Sequence, residues 1–146
     1  MTEMVEAVSP RVCSIARTLE LVGERWALLA LREVFLGVRR FDAIQRNTGA
    51  PRDILSARLR KLIAAGLLER RQYQERPARF EYRLTEAGRD LLPVLLTLMD
   101  WGDRHLADGG APLTYRHRCG ADFKPVLVCQ ACREPVARRD LTVVPS

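Results

Sequence analysis

Between residues 14 and 36 apolar side chains recur at helical spacing. Ile15, Leu19 and Val22 share one face, and Gly23 interrupts the run. Trp26, Leu29, Leu31, Val34 and Phe35 mark a second helix that stops at Gly37. A short helix follows, with Phe41 and Ile44 as its inward pair and Thr48-Gly49 as its stop. The next begins near Pro51, a residue suited to a first helical position, and carries the stripe Leu55, Leu59, Leu62 with Ile54 and Ile63 at its edges. Gly66 supplies a left-handed cap.

The texture then changes. Leu67 to Tyr73 and Phe80 to Leu84 read as two strands around a charged, proline-bearing tip, residues 74–78. Thr85 caps a further helix running toward Leu106, with Glu86 and Asp90 at its positive end. Its stretch Leu91 to Met99 is apolar almost all round, which predicts packing on its own core and on a partner chain, and Pro93 should bend or break it. Residues 108–112 are a linker by composition, and the remainder reads as short strands with a turn between cysteines. The expected fold is α+β, mostly α: a winged helix-turn-helix with flanking dimerisation helices and a small C-terminal β-hairpin module. The expected division is 1–110 for DNA binding and dimerisation and 111–146 for a Cys/His hairpin module.

Charge sharpens this picture. The 146 residues carry a net +6, and residues 38–80 hold eleven basic side chains against four acidic ones. That window is +7, so the rest of the chain sums to −1. Double-stranded DNA is the partner such a head implies, because phosphate neutralisation supplies most of the electrostatic affinity. Only Lys61 and Lys124 are lysine, and arginine is the better fork for phosphates and guanine edges. Aromatics at 6% disfavour a carbohydrate platform or a base-stacking surface. The first ten residues hold two Glu and no apolar run, so no signal peptide is expected there. No stretch reaches membrane-spanning length, which gives a cytoplasmic protein. Two histidines, no phosphate loop and no nucleophile elbow argue against an enzyme.

On the fourth helix, Asp53, Ser56, Ala57, Arg60 and Lys61 lie opposite the leucine stripe at 100° per residue. Arg52 and Ser56, near its start, are the expected base readers, with Arg60 and Lys61 nearer phosphates. Asp53 either accepts from cytosine or restrains Arg52. Arg58 falls beside the stripe, which suits an internal ion pair or snorkelling. Arg39 and Arg40 begin the preceding helix, where a phosphate can dock. Arg76 and Arg79 belong to the wing and are expected to enter or flank the minor groove.

Several ordered stretches carry a family resemblance. They are Cys13 before a helix, Gly23-Glu24-Arg25-Trp26, Gly37-Val38-Arg39-Arg40-Phe41, and Leu59-Arg60-Lys61-Leu62 ahead of Gly66-Leu67. Pro77-Ala78-Arg79-Phe80-Glu81-Tyr82, Leu84-Thr85-Glu86-Ala87-Gly88 and Trp101-Gly102 continue the series. The chain resembles the HxlR-type winged-helix transcriptional regulators over residues 13–107. The resemblance implies a homodimeric bacterial regulator, more often a repressor, whose first and last helices form the dimer interface. Family members often open the recognition helix with Ser, where this chain has Ala50-Pro51, so a hydroxyl cap is missing. Some relatives sense oxidants or electrophiles through a cysteine placed like Cys13. A helix start favours the thiolate there, and simple packing is the other reading.

The tail holds His117-x-Cys119 and Cys129-x-x-Cys132. These four could close a structural zinc site that staples a module too small for its own core, although Arg133 stands where such a turn usually has Gly. A redox dithiol and plain packing are the competing readings. The rival functions are a zinc-stapled interaction module without DNA readout and a thiol redox protein using the Cys129/Cys132 pair.

Overall fold

The computed structural model describes residues 11–144. The first ten residues, read above as lacking a signal sequence, lie outside them. The chain divides into two compact units, Met1–Leu95 and Leu96–Ser146.

The first unit contains α1 (Ser14–Val22), α2 (Arg25–Phe35), α3 (Phe41–Thr48), α4 (Arg52–Ala64), β1 (Leu68–Gln74), β2 (Arg79–Leu84) and α5 (Glu86–Arg89). Helix α6 (Leu92–His105) starts in it and continues into the second. The stripe expected on α4 is buried to the last atom or nearly so: Leu55, Leu59 and Leu62 meet Leu31, Ile44 and Leu68. Truncating any one of these to Ala removes contacts that the neighbours cannot replace, at about 2–5 kcal/mol. Phe41 is half-buried against the same core. Gly66 takes φ +77°, the left-handed value expected of the residue that ends the recognition helix.

Strands β1 and β2 form an antiparallel wing, pairing Leu68 with Leu84 and Arg70 with Tyr82, with a register break between Gln72 and Gln74. A backbone bond from Tyr82 N–H to the Arg39 carbonyl (2.7 Å) ties the wing to the start of α3. The wing base is clasped at Thr85. Its hydroxyl donates to the Gly66 carbonyl (2.5 Å) and accepts from Gly88 N–H (3.1 Å), while its own N–H donates to the Leu67 carbonyl (3.2 Å).

The single helix expected from 85 to 106 is two. Residues Asp90 and Leu91 separate α5 from α6, and Pro93 sits in the first turn of α6, where its missing N–H costs nothing. The expected first helix forms, but only Val22 of its apolar face is buried. Ile15 and Leu19 remain 73% and 55% exposed.

In the second unit the tail pairs by isolated bridges, Arg116 with Asp122 and Val128 with Pro135, in place of the expected strands, and Arg138–Asp140 makes a short 3-10 turn. Each cysteine-bearing turn closes on itself. His117 N–H donates to the Ala121 carbonyl, and Cys129 N–H to the Glu134 carbonyl (2.9 Å each). Arg133 adopts φ +66°, the conformation that glycine enters without strain. The turn therefore keeps its shape although the glycine is absent. No helix among the described residues is long and apolar enough to cross a membrane.

Candidate nucleic-acid interface

Recognition helix α4 lacks a side-chain N-cap, as Pro51 dictates. The turn that presents it is held from α3 instead. Gln45 Nε2 donates to the Ala50 carbonyl (3.0 Å), and the Thr48 hydroxyl accepts from Ala50 N–H (3.2 Å). Asn47 Nδ2 donates to Oε2 of Glu33 (2.8 Å), a carboxylate on α2 only 4% exposed. Arg32 donates to the other oxygen of Glu33 (3.0 Å). A buried carboxylate with both oxygens bonded is stable only while those partners stay, so Glu33 fixes α2 against the helix-turn-helix corner. Sequence reasoning passed over Glu33, because an acidic residue within a helix gives no sign of burial.

At the start of α4, Arg52 is exposed. It donates to Asp42 Oδ1 (3.0 Å), and its guanidinium lies 4.9 Å from the Phe41 ring centroid. The restraint on Arg52 thus comes from Asp42 of α3, not from Asp53. Ser56 is half-buried, and Arg60 and Lys61 are exposed farther along the helix. Arg58 pairs with Glu24, as its place beside the stripe implied.

Two more arginine–aromatic stacks organise the wing. Arg40 lies 4.8 Å from the Tyr73 ring and Arg70 lies 3.8 Å from that of Phe80. Each stack joins two elements and holds a guanidinium in place before any ligand arrives. Arg76 and Arg79 are exposed at and beside the wing tip, and Arg39 is exposed ahead of α3. An open cleft of about 560 Å³ separates α3 from the wing, and Arg40, Arg46 and Arg79 all line it. Arg46 was counted in the basic window but given no contact, because the folding of the wing against α3 is what makes it a neighbour of Arg79. Half-buried Tyr82 sits beneath this surface. Burial pushes its phenol above the ordinary range, with Arg70 and then Arg60 pulling the other way.

Cys13 is exposed and caps α1, its sulfur accepting from Ala16 N–H (3.3 Å). In the tail, the backbone N–H groups of Cys132 and then Ala131 hold the Cys129 thiol below its usual range. His117 Nδ1 accepts from Cys119 N–H (3.3 Å). That bond closes the turn between the two residues and engages the Nδ1 lone pair. No three His, Cys, Asp or Glu side chains among the described residues come together as a group that could hold a metal ion. The four residues expected to bind zinc are therefore not gathered into a tetrahedral set, and each pair stays within its own turn.

A helix-turn-helix corner, a recognition helix with a basic outer face and an arginine-bearing wing together define a winged-helix DNA-binding transcriptional regulator. More narrowly, the chain belongs to the HxlR-like helix-turn-helix family, whose profile matches residues 21–109. It is 52% identical over 134 residues to an HTH-type transcriptional regulator of Mycobacterium tuberculosis (strain ATCC 25618 / H37Rv), an alignment covering 90% of this chain and 85% of that one. The crystal structure of PA1607, a transcription-factor candidate, superposes with a TM-score of 0.81 at 32% identity over 92% of this chain and 95% of that one. The redox regulator HypR in its reduced form superposes with a TM-score of 0.58 at 30% identity, over 63% of this chain and 92% of that one.

Proposed function

We propose that the protein represses transcription in the cytoplasm as a homodimer on an inverted-repeat operator, and that oxidants or electrophiles acting at Cys13 release it. The observation that carries the dimer is the apolar surface left uncovered on the terminal helices. Ile15 and Leu19 of α1 are exposed, as are Leu98 and Trp101 of α6, on which no residue is fully buried. Apolar rows of this size on a regulator are normally covered by a second copy, and a two-fold pair of heads reads a two-fold site. Half-sites should then lie about 10 bp apart, or a multiple of that. The sensing role is supported by the exposed thiol of Cys13 at the head of α1 and by the likeness to HypR. A hydroperoxide would convert that thiol to a sulfenic acid, releasing water or an alcohol. The adduct would lie beside the dimerising face.

The test is selection of genomic fragments with the purified full chain, followed by gel shift and sedimentation. The expected result is a dimer that prefers an inverted repeat and leaves it on treatment with peroxide or quinone. Cys13→Ser should bind alike and ignore both reagents. A micromolar monomer with no preference among fragments would defeat the dimeric-operator reading. Indifference of the wild type to peroxide, quinone and diamide would remove the sensing role.

A further inference from the structure

We propose that the cleft between α3 and the wing seats a phosphodiester of the DNA backbone, with Arg46 as its central cation; this rests on the DNA-binding reading above. Arg40, Arg46 and Arg79 reach the cleft from the start of α3, its last turn and the first residue of β2. Asp42 also lines it, but its carboxylate already holds Arg52. Among the described residues, no ion pair with an acidic side chain engages Arg40, Arg46 or Arg79. Elsewhere on the head Arg58, Arg71 and Arg83 each meet a Glu, and the other arginines without such a pair, Arg39, Arg60, Arg70 and Arg76, do not line a common cleft with them. Three like charges left together in one concave place repel one another until an anion enters.

The aromatic groups decide which anion. Tyr73, Phe41 and Phe80 line the cleft, yet each already carries a guanidinium over its ring, that of Arg40, Arg52 and Arg70 respectively. A flat aromatic acid would have to displace those arginines to stack. A phosphodiester needs only charge and N–H donors. Phe41 lines the cleft while supporting the residue that opens α4, so a strand whose bases meet Arg52 passes close by. The seat would set the distance between recognition helix and wing along the backbone without reading sequence.

The experiment measures duplex binding by the full chain over a series of salt concentrations, with a random-sequence duplex and a selected one. Arg46→Gln should weaken both on the order of three- to tenfold and lower the slope of log K against log salt by about 1. The ratio between the two duplexes should not change. Arg46→Lys should restore the slope, and Arg89→Gln, remote from the cleft, should match wild type. Wild-type slope and affinity in Arg46→Gln, with wild-type DNA binding otherwise steep in salt, would overturn the seat and leave the DNA reading standing. A wild type that binds no duplex at any salt would overturn both. Inorganic phosphate titrated into the free protein serves as a second arm. Tight saturation that shifts the amides of residues 41–46 but never competes with DNA would make the cleft a free-anion pocket and overturn the seat.

Discussion

Arg52 joins two constraints that pull in compatible directions. Asp42 pairs with the guanidinium from one side and Phe41 supports it from another, so Arg52 is biased toward one pose before it meets a base edge. Arg52→Ala should cost about 1–3 kcal/mol on the selected duplex and relax preference at one base pair. Competition binding against single-substituted duplexes reads this directly, and equal losses on every duplex would reassign Arg52 to the backbone. The pairing of Arg58 was legible from its angle beside the leucine stripe, because a helix wheel is a local property. The grip of Asp42 on Arg52 was not, since it depends on how α3 crosses α4. Tyr82 gives a pH prediction. Its raised folded-state pKa means the native protein keeps the phenolic proton after the unfolded chain has lost it. Stability is therefore full below about pH 10 and falls as pH rises past it. Denaturant midpoints at pH 9 and 11 should show that fall, and Tyr82→Phe should reduce it.

Elements were easiest to read where periodicity and punctuation agree. The α4 stripe and its Gly66 stop lie in one short stretch of chain, and both appear as expected. The tail was harder. It read as short strands around a turn between cysteines, yet only single bridges form, because each turn satisfies its own backbone. The corner between α3 and α4 escaped for a different reason: its substitute for the missing cap is spread over Gln45, Asn47, Thr48 and the distant Glu33. Glu33→Ala should cost about 2 kcal/mol, since Asn47 and Arg32 lose a buried acceptor. Thermal melts measure that cost, and DNA affinity should fall beyond what unfolding explains. Gly88 predicts a sharper break. A Cβ there would lie 2.1 Å from the Leu67 carbonyl oxygen, so Gly88→Ala must push α5 off the wing base. A substantially lower melting temperature is expected, and an unchanged one would show that the clasp at Thr85 yields without cost.

For the whole molecule, the arginine–aromatic stacks have a calorimetric consequence. Arg40 on Tyr73, Arg52 on Phe41 and Arg70 on Phe80 are contacts made within the chain itself. The reading surface is thus formed before it is used. Where recognition is coupled to ordering, burial inside the protein adds to burial at the interface and makes the heat capacity of binding strongly negative. Here the first contribution is already spent in folding. Titration calorimetry between 10 and 35 °C should give an enthalpy that varies with temperature only as much as two rigid surfaces meeting would require. Replacing Tyr73 by Ala should steepen that dependence, because Arg40 would then have to find its place on the DNA.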